Sequence, residues 1–179
     1  MLIGGQLREM PVGDTIPADD LPTGDAPGLT RYVELASQAD VVASTTPVNA
    51  AGMAFSVSAG ATYLLDGLIR YNGPTISDVK IGFTGPAMAS ILWSANGMDA
   101  SGTAMTTAGS LQTVGVTAIG AGNTIALGCS GGLVTVACPR GLFRPSAAGT
   151  LQLVWAQNSS NILASSLYPP SFLTLQRVA

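Results

Sequence analysis

Apolar residues alternate with polar or small ones along most of the chain after Leu29, a period of two that is typical of half-buried β-strands. The clearest case is Thr62–Asn72, where Tyr63, Leu65, Ile69 and Tyr71 share one face. The same pattern predicts further strands over Ala54–Ser58, Asp78–Thr84, Ser90–Ser94, Gly109–Ile119, Asn123–Cys129, Leu133–Cys138, Thr150–Gln157 and Ser171–Val178. Many short strands without a helical period predict an all-β sandwich.

Glycine, proline and asparagine fall between the predicted strands, as turn residues do. Examples are Asn72-Gly73-Pro74, Asn96-Gly97, Gly120–Asn123 and Gly131-Gly132. Gly131-Gly132 is typical of a tight hairpin turn. We therefore expect the strands on either side of it to pair directly with each other.

Residues 1–28 differ from the rest of the chain. They contain four prolines and five acidic residues, and they show little apolar periodicity. Because proline fixes φ and removes a backbone donor, regular structure is not expected. The sequence predicts an extended N-terminal arm over residues 1–28, ordered when a partner binds it, and a β-sandwich domain over residues 29–179.

Charge is scarce after the arm. From Val41 to Ala179 there are only three acidic and five basic residues, whereas about a quarter of the residues in ordinary soluble domains are charged. Alanine, serine and threonine occupy many of the outward strand positions instead. A surface of this kind suits burial against other copies of the same chain, so we expect a homo-oligomer, most simply a homotrimer.

The charge balance also limits the partners. A net charge of −3 and scattered basic residues argue against a nucleic-acid partner. No run of about 18 apolar residues is present, so no membrane contact is expected, and the N-terminus does not resemble a secretory leader. The acidic arm has two open interpretations: it packs on the weakly basic body or a neighbouring copy, or it is a solvated tail.

The chain lacks the side chains that most catalytic sites need. It has no histidine and a single lysine, Lys80, so no nucleophile-and-base pair is recognisable. Asp19-Asp20 is the only adjacent carboxylate pair and lies in the arm, while Asp66, Asp78 and Asp99 are isolated. We expect no enzymatic activity, no cofactor and no metal.

Two cysteines, Cys129 and Cys138, flank the Gly131-Gly132 turn. If those glycines formed a two-residue loop, Cys129 would face Val134 rather than Cys138. A direct cross-strand disulfide therefore fits poorly, and buried free thiols are the preferred interpretation.

Most aromatic residues fall in the core phase of the predicted strands. Core packing is expected for Trp93, Trp155, Phe55, Tyr63 and Phe172. Tyr168 precedes Pro169-Pro170 in a loop-like stretch and is a candidate contact at the rim of the domain. Arg140 and Arg144, which bracket another loop-like stretch, are candidates for pairing with acidic residues of a neighbour.

The segment TLQLVWA at Thr150–Ala156 and the closing SFLTLQRV at Ser171–Val178 resemble the last two strands of the complement/tumour-necrosis-factor family of trimeric jelly rolls. The resemblance covers roughly Ala54 to Val178. Pro139–Phe143 is similar to the connection into the penultimate strand, and the stretch from Ala59 to Trp93 is similar to the early strands. The resemblance implies a jelly-roll-like sandwich that assembles as a trimer.

The N-terminal phrase GQLREMPVGDTIPADDLP resembles leader segments of tailed-bacteriophage virion proteins. The matching residues are Leu7, Pro11, Gly13, Asp14, Thr15, Ile16 and Pro17, and Met10 stands where leucine is usual. This resemblance implies a virion protein, assembled in the host bacterial cytoplasm, whose arm attaches to other virion proteins. The expected attachment residues are Leu7, Met10, Pro11, Ile16, Pro17 and Leu21.

Two virion roles remain open. As a capsid decoration or cement protein, the trimer would sit on the major capsid protein shell and brace neighbouring capsomers. As a tail-fibre or baseplate tip, it would bind a host receptor or glycan. No coiled-coil heptad or collagen repeat extends the chain into a shaft, which favours decoration.

Overall fold

A computed structural model describes residues 2–3, 6–7, 24–100, 111–112 and 114–179 of the chain. Every regular element in these ranges is a β-strand. The strands are β1 (Leu2–Ile3), β2 (Gln6–Leu7), β3 (Thr30–Glu34), β4 (Ala39–Val41), β5 (Val48–Val57), β6 (Tyr63–Asn72), β7 (Val79–Thr84), β8 (Met88–Met98), β9 (Leu111–Gln112), β10 (Thr124–Leu127), β11 (Thr135–Pro145), β12 (Gly149–Gln157) and β13 (Ser165–Arg177). The part of the chain that the structure describes contains no helix that could span a bilayer.

Two antiparallel sheets form the sandwich. The smaller sheet has the order β10-β7-β12-β5, and the larger has the order β3-β13-β6-β11-β8-β9, with β4 also paired to β13. Strands that are consecutive in sequence mostly lie in opposite sheets, and early strands pair with late ones. This nested order is that of a jelly roll, to which β8 and β9 add an extension beyond β11. The predicted all-β jelly-roll-like sandwich is confirmed.

Most predicted strands are present, although several bounds differ. The strands β6, β7 and β12 agree with the alternation to within one residue. β3 and β4 were not predicted, because both lie at the edge of the larger sheet, β3 alternates only between exposed and half-buried positions, and β4 is three residues long. β13 begins at Ser165, before Pro169-Pro170, because a register shift between Tyr168 and Phe172 accommodates the two prolines inside the strand.

Three local predictions are wrong. The strands beside Gly131-Gly132 do not form a hairpin, since β10 pairs with β7 whereas β11 pairs with β6 and β8. The glycines instead let the chain cross from one sheet to the other. The described part of Gly109–Ile119 holds only β9 and an isolated bridge from Val116 to Trp93. Pro139–Phe143 lies within β11 rather than in a connection.

Aromatic residues join the two sheets. Phe83 of the smaller sheet meets two rings of the larger sheet edge-on, Trp93 at 5.1 Å and Phe143 at 5.5 Å between centroids. Trp93, Trp155, Phe55 and Tyr63 are buried as predicted. The prediction is wrong for Phe172, which lies on the outer face of β13 and stacks on Tyr32, because it alternates with the buried Leu173 and shares the outward phase of Thr174.

Little of the arm lies in the described ranges. Leu7 belongs to β2, which pairs with β1 in a two-stranded sheet. Met10, Pro11, Ile16, Pro17 and Leu21 lie outside the described residues. The chain is described again from Gly24, and at Gly28 the backbone N–H donates a 2.7 Å hydrogen bond to the carbonyl of Arg177.

Candidate functional site

The outer face of the larger sheet is the broadest candidate for an interaction surface. Even-numbered residues of β3, β6, β11 and β13 point outward, because side chains alternate along each strand. The strand register places these residues in rows that cross the sheet.

One row is polar and holds the only ion pair found on this face within the described residues. Arg140 Nε lies 3.1 Å from Asp66 Oδ1, and both side chains are exposed. Thr174 is opposite Asp66, and Ser94 is opposite Arg140. Exposed ion pairs contribute about 0–1 kcal/mol, so this pair sets a local geometry rather than holding an assembly together.

The next row is apolar. Leu142 of β11 is opposite Leu64 of β6 on one side and Leu92 of β8 on the other. Leu64 and Leu92 are exposed large hydrophobic residues. We call these three residues the leucine row. Together with the exposed Tyr32–Phe172 stack, it gives this face an apolar character that an isolated soluble protein rarely shows over several neighbouring strands.

Two shallow grooves run beside Arg140. One, of about 560 Å³, lies between Arg140, Asp66 and Gln176. The other, of about 370 Å³, lies between Arg140, Leu92 and Gly115. The side chain of Arg140 therefore separates two depressions, and a partner surface with two matching projections would fit around it.

The predicted rim residues are placed differently from expectation. Arg140 and Arg144 do not bracket a loop, because both lie in β11, where Arg144 is opposite Ser90. The prolines that suggested a loop are tolerated within the strand, and the ladder between β11 and β6 skips Cys138 and Pro139. Tyr168 is half-buried in β13 rather than in a loop.

Asp25 forms the centre of a charged cluster at one end of the sandwich. Arg31 Nη2 lies 2.8 Å from Asp25 Oδ1 and Arg177 Nη1 lies 3.8 Å from Asp25 Oδ2. The Tyr63 hydroxyl donates a hydrogen bond to the same carboxylate. We call Asp25, Arg31, Tyr63 and Arg177 the arm root, since they fix the chain where residues 1–23 join the sandwich.

The electrostatics of the arm root favour the ionised carboxylate. Partial burial alone would raise the pKa of Asp25, but hydrogen bonds from Tyr63 and Ser58 and the charges of Arg31 and Arg177 outweigh it. The pKa of Asp25 is therefore lowered from its ordinary value of 3.8. Arg31 is also positioned over the rings of Phe55 and Tyr63, at 5.6 and 5.7 Å from their centroids.

Four connections meet at the opposite end of the sandwich, and we call them the distal loop cluster: residues 42–47, 73–78, 128–134 and 158–164. The backbone N–H of Ala43 donates to the carbonyl of Asn161, and that of Ser159 donates to the carbonyl of Ser77, each at 2.8 Å. β6 runs from the arm root at Tyr63 to this cluster at Asn72, a span of about 30 Å for a strand of this length.

A buried carboxylate organises the cluster. Asp78 Oδ1 accepts a 2.9 Å hydrogen bond from the backbone N–H of Cys129, and Asp78 itself has a left-handed φ of 53°. Burial raises the pKa of Asp78, and the nearby charge of Asp99 raises it further, although the Cys129 hydrogen bond opposes this. From the sequence, Asp78 and Asp99 were expected to be isolated. Their interaction could not be predicted, because residues brought together by a loop leave no periodic pattern in the sequence.

Both cysteines were predicted to be buried free thiols. Cys129 is a buried free thiol, whereas Cys138 is free but only half-buried. Burial, followed by the charge of Asp78, raises the pKa of the Cys129 thiol to about 12, so it behaves as a small apolar side chain. Within the described ranges, no three metal-binding side chains come together.

Comparison with known proteins gives distant likenesses. No family model matches the chain, and no curated protein matches it. Among solved structures, the tumour necrosis factor Eiger from S. frugiperda has a TM-score of 0.38 and 14% identity, over 86% of this chain and 94% of Eiger.

Two structures of infectious bursal disease virus are also similar. The Gx strain has a TM-score of 0.25 and 12% identity over 93% of this chain, and the VP2 subviral particle has a TM-score of 0.25 and 9% identity over 94%. The match spans 47% of each viral chain. Since all these TM-scores lie below 0.5, the jelly-roll assignment rests on the strand order.

We predict that Asp25→Asn destabilises the protein at neutral pH by about 1–3 kcal/mol, because the charge-assisted hydrogen bonds of the arm root are lost. A lowered pKa in the folded state stabilises the fold above pH 3.8, and this contribution disappears as the pH falls through the folded pKa. Urea unfolding should therefore separate wild type from variant at pH 7 and bring them together in strong acid. Asp66→Asn is the control: it removes the charge of an exposed ion pair but keeps an acceptor for the Gly67 N–H, so it should change little.

We also predict that Asp78→Asn leaves the protein as stable at pH 7 or more stable, whereas Asp78→Ala costs about 1–3 kcal/mol. Asparagine tolerates the left-handed φ and keeps an acceptor for the Cys129 N–H, but it removes a buried charge. Because the pKa of Asp78 is raised on folding, the penalty of that charge is present at neutral pH and disappears below pH 3.8. Equal losses for both variants in urea unfolding would show that the charge itself is stabilising.

Proposed function

We propose that this chain is a non-enzymatic structural protein of a tailed-bacteriophage virion. In this proposal it is a homotrimer that decorates the capsid, docks on the major capsid protein or other virion proteins through residues 1–28, and braces neighbouring capsomers. It would assemble in the cytoplasm of the host bacterium. The proposal includes no cofactor, no nucleic-acid partner and no catalytic role.

The observation that supports self-association most directly is the outer face of the larger sheet. The leucine row and the Tyr32–Phe172 stack expose apolar groups there, and the one ion pair on the described part of this face is solvated. Burying about 1,000 Å² of apolar surface would contribute about 25 kcal/mol before association costs. This is far more than an exposed ion pair can supply.

The arm root supports attachment through the N-terminal segment. Asp25 is held by two arginines and a tyrosine, and the Gly28 N–H continues the ladder between β3 and β13. The arm therefore leaves the sandwich from a fixed position. A segment that gains order on docking spreads its contacts over several partners, at a cost of about 1–2 kcal/mol per residue fixed.

A tail-fibre or baseplate tip that binds a host receptor or glycan is the second candidate. A depression of about 210 Å³ beside Tyr168, lined also by Asn72, Gly73 and Ser166, favours it. It combines an aromatic side chain with an amide and a hydroxyl, which suits a sugar ring. Binding to host cell-wall glycans that is lost in Tyr168→Ala would support this candidate over decoration.

We predict that Leu92→Glu converts the trimer into monomers, because association would then have to desolvate a carboxylate at the end of the leucine row and would lose the apolar contact of Leu92. Native mass spectrometry and light scattering measure this directly. Val48→Glu is the matched control: Val48 is 44% exposed and Leu92 56% exposed, but Val48 lies on the smaller sheet. A wild-type protein that is monomeric would contradict the trimer, and a trimer that dissociates in molar salt would show that charges hold it.

We further predict that deleting residues 1–23, which leaves the arm root intact, abolishes attachment to virions while the trimer remains. Electron microscopy of particles assembled with full-length or truncated protein would locate the chain on the head or the tail and measure its occupancy. Light scattering of the truncated protein is the control for folding and assembly. If truncated protein still decorates particles at full occupancy, the arm is not the attachment segment.

A further inference from the structure

The distal loop cluster carries an unusual set of exposed side chains. Ile76, Leu133, Ile162 and Leu163 are 75%, 74%, 84% and 62% exposed, respectively. They come from three different connections that meet at one end of the sandwich. Single exposed aliphatic residues are ordinary on a protein surface, but four at neighbouring loop tips form a patch that calls for a function.

The loop tips are held rigidly with these side chains outward. In residues 128–134, Ser130 Oγ donates to the carbonyl of Leu133 at 2.7 Å and accepts from its N–H at 2.9 Å. The N–H of Leu163 donates to Asn161 Oδ1 at 2.8 Å, and its carbonyl accepts from Gln157 Nε2 at 2.8 Å. The tip that carries Ile76 is closed by the Ser77 and Asp78 N–H groups, which donate to the carbonyl of Pro74 at 3.0 Å. The apolar tips are therefore preorganised.

The four connections carry little charge, although the exposed Asp40, which accepts a hydrogen bond from Ser166, and Lys80 of β7 lie at their border. Residues 42–47, 73–78, 128–134 and 158–164 contain one ionisable acid or base besides Cys129, and that residue, Asp78, is buried. Serine, threonine, asparagine and glycine surround the aliphatic tips. An end of this kind matches a neutral surface with an apolar interior and hydrogen-bonding groups at its boundary.

The chemistry of the tips favours lipid over a protein partner. Protein–protein hot spots are enriched in tryptophan, tyrosine and arginine, whereas the four projecting side chains here are all aliphatic. Membrane-surface binding scales with the apolar area that enters the acyl boundary, and attraction to anionic lipids requires basic residues. The distal loop cluster supplies the first and lacks the second.

We propose that the distal loop cluster inserts its four aliphatic tips into the surface of a neutral, zwitterionic phospholipid membrane. The insertion is interfacial, to the depth of the headgroup and acyl boundary, with the surrounding hydroxyl and amide groups bonding to the headgroups. This proposal goes beyond the virion role. It rests on that role only for the orientation of the protein: in a trimer docked by its arm, the distal loop cluster would face away from the virion surface. It also revises the expectation of no membrane contact, which considered only spanning segments.

The test is co-sedimentation of the full-length protein with phosphatidylcholine vesicles. Binding is expected, and it should not weaken between about 0.1 M and about 1 M sodium chloride, since screening acts on charges. Ile162→Ser should reduce the apparent partition coefficient about tenfold, and Ile76→Ser combined with Ile162→Ser should reduce it further. Val178→Ser is the matched control: it removes a 44% exposed valine near the arm root and should bind as wild type does.

A fluorescence measurement checks insertion independently. Trp93 and Trp155 are each only 1% exposed, so their emission reports folding and should not respond to vesicles. Leu163→Trp adds a reporter at a loop tip, and its emission should shift to shorter wavelength when phosphatidylcholine vesicles are added.

Three results would overturn the proposal. They are absence of vesicle binding, equal binding by Val178→Ser and the double isoleucine variant, and binding only to anionic vesicles. Self-association that the isoleucine substitutions abolish, without lipid binding, would assign the distal loop cluster to a second copy of the chain instead. Because these measurements use protein free of virions, their failure leaves the virion proposal untouched, and the reverse also holds.

Discussion

Most consecutive strands of this sandwich lie in opposite sheets, and this alternation determines where the remaining features lie. Each crossing sends the chain over one end of the sandwich, so successive connections gather alternately at the two ends. The arm root lies at one end, and the distal loop cluster lies at the other. The inward aromatic side chains, with Phe83 in contact with Trp93 and Phe143, pack the two sheets together, and the length of strands such as β6 sets the distance between the two ends.

The sequence was informative where one side of a strand is buried. β6, β7 and β12 have alternating or nearly continuous burial, and the hydrophobic pattern identified them to within one residue. It failed where burial is weak or where residue type was weighed above position. β3 lies at an edge and has no fully buried side chain. Phe172 was expected in the core because it is aromatic, although it lies in the outward phase of Thr174 and Gln176.

The candidate surfaces were only partly predictable for a related reason. The scarcity of charge is visible in the sequence, and it directs attention to outward strand positions. The leucine row is not visible, because Leu64, Leu92 and Leu142 come from three strands and become neighbours only through the register. In the sequence, Asp25 is one of several acidic residues in a proline-rich segment. Its structural role depends on Arg31 and Arg177, which lie 6 and 152 residues away in sequence.

The position of the arm root has a mechanical consequence. A pull on an anchored arm would enter the sandwich at Gly28 and act on the end of the β3–β13 ladder, a peeling geometry in which hydrogen bonds break one after another. The carboxylate of Asp25 stands ahead of that ladder and ties the incoming chain to β3, β6 and β13 at once. Tension would thus be shared among three strands before the first hydrogen bond between β3 and β13 breaks. The side chain of Asp25 would therefore set the force at which β3 begins to separate from the sheet.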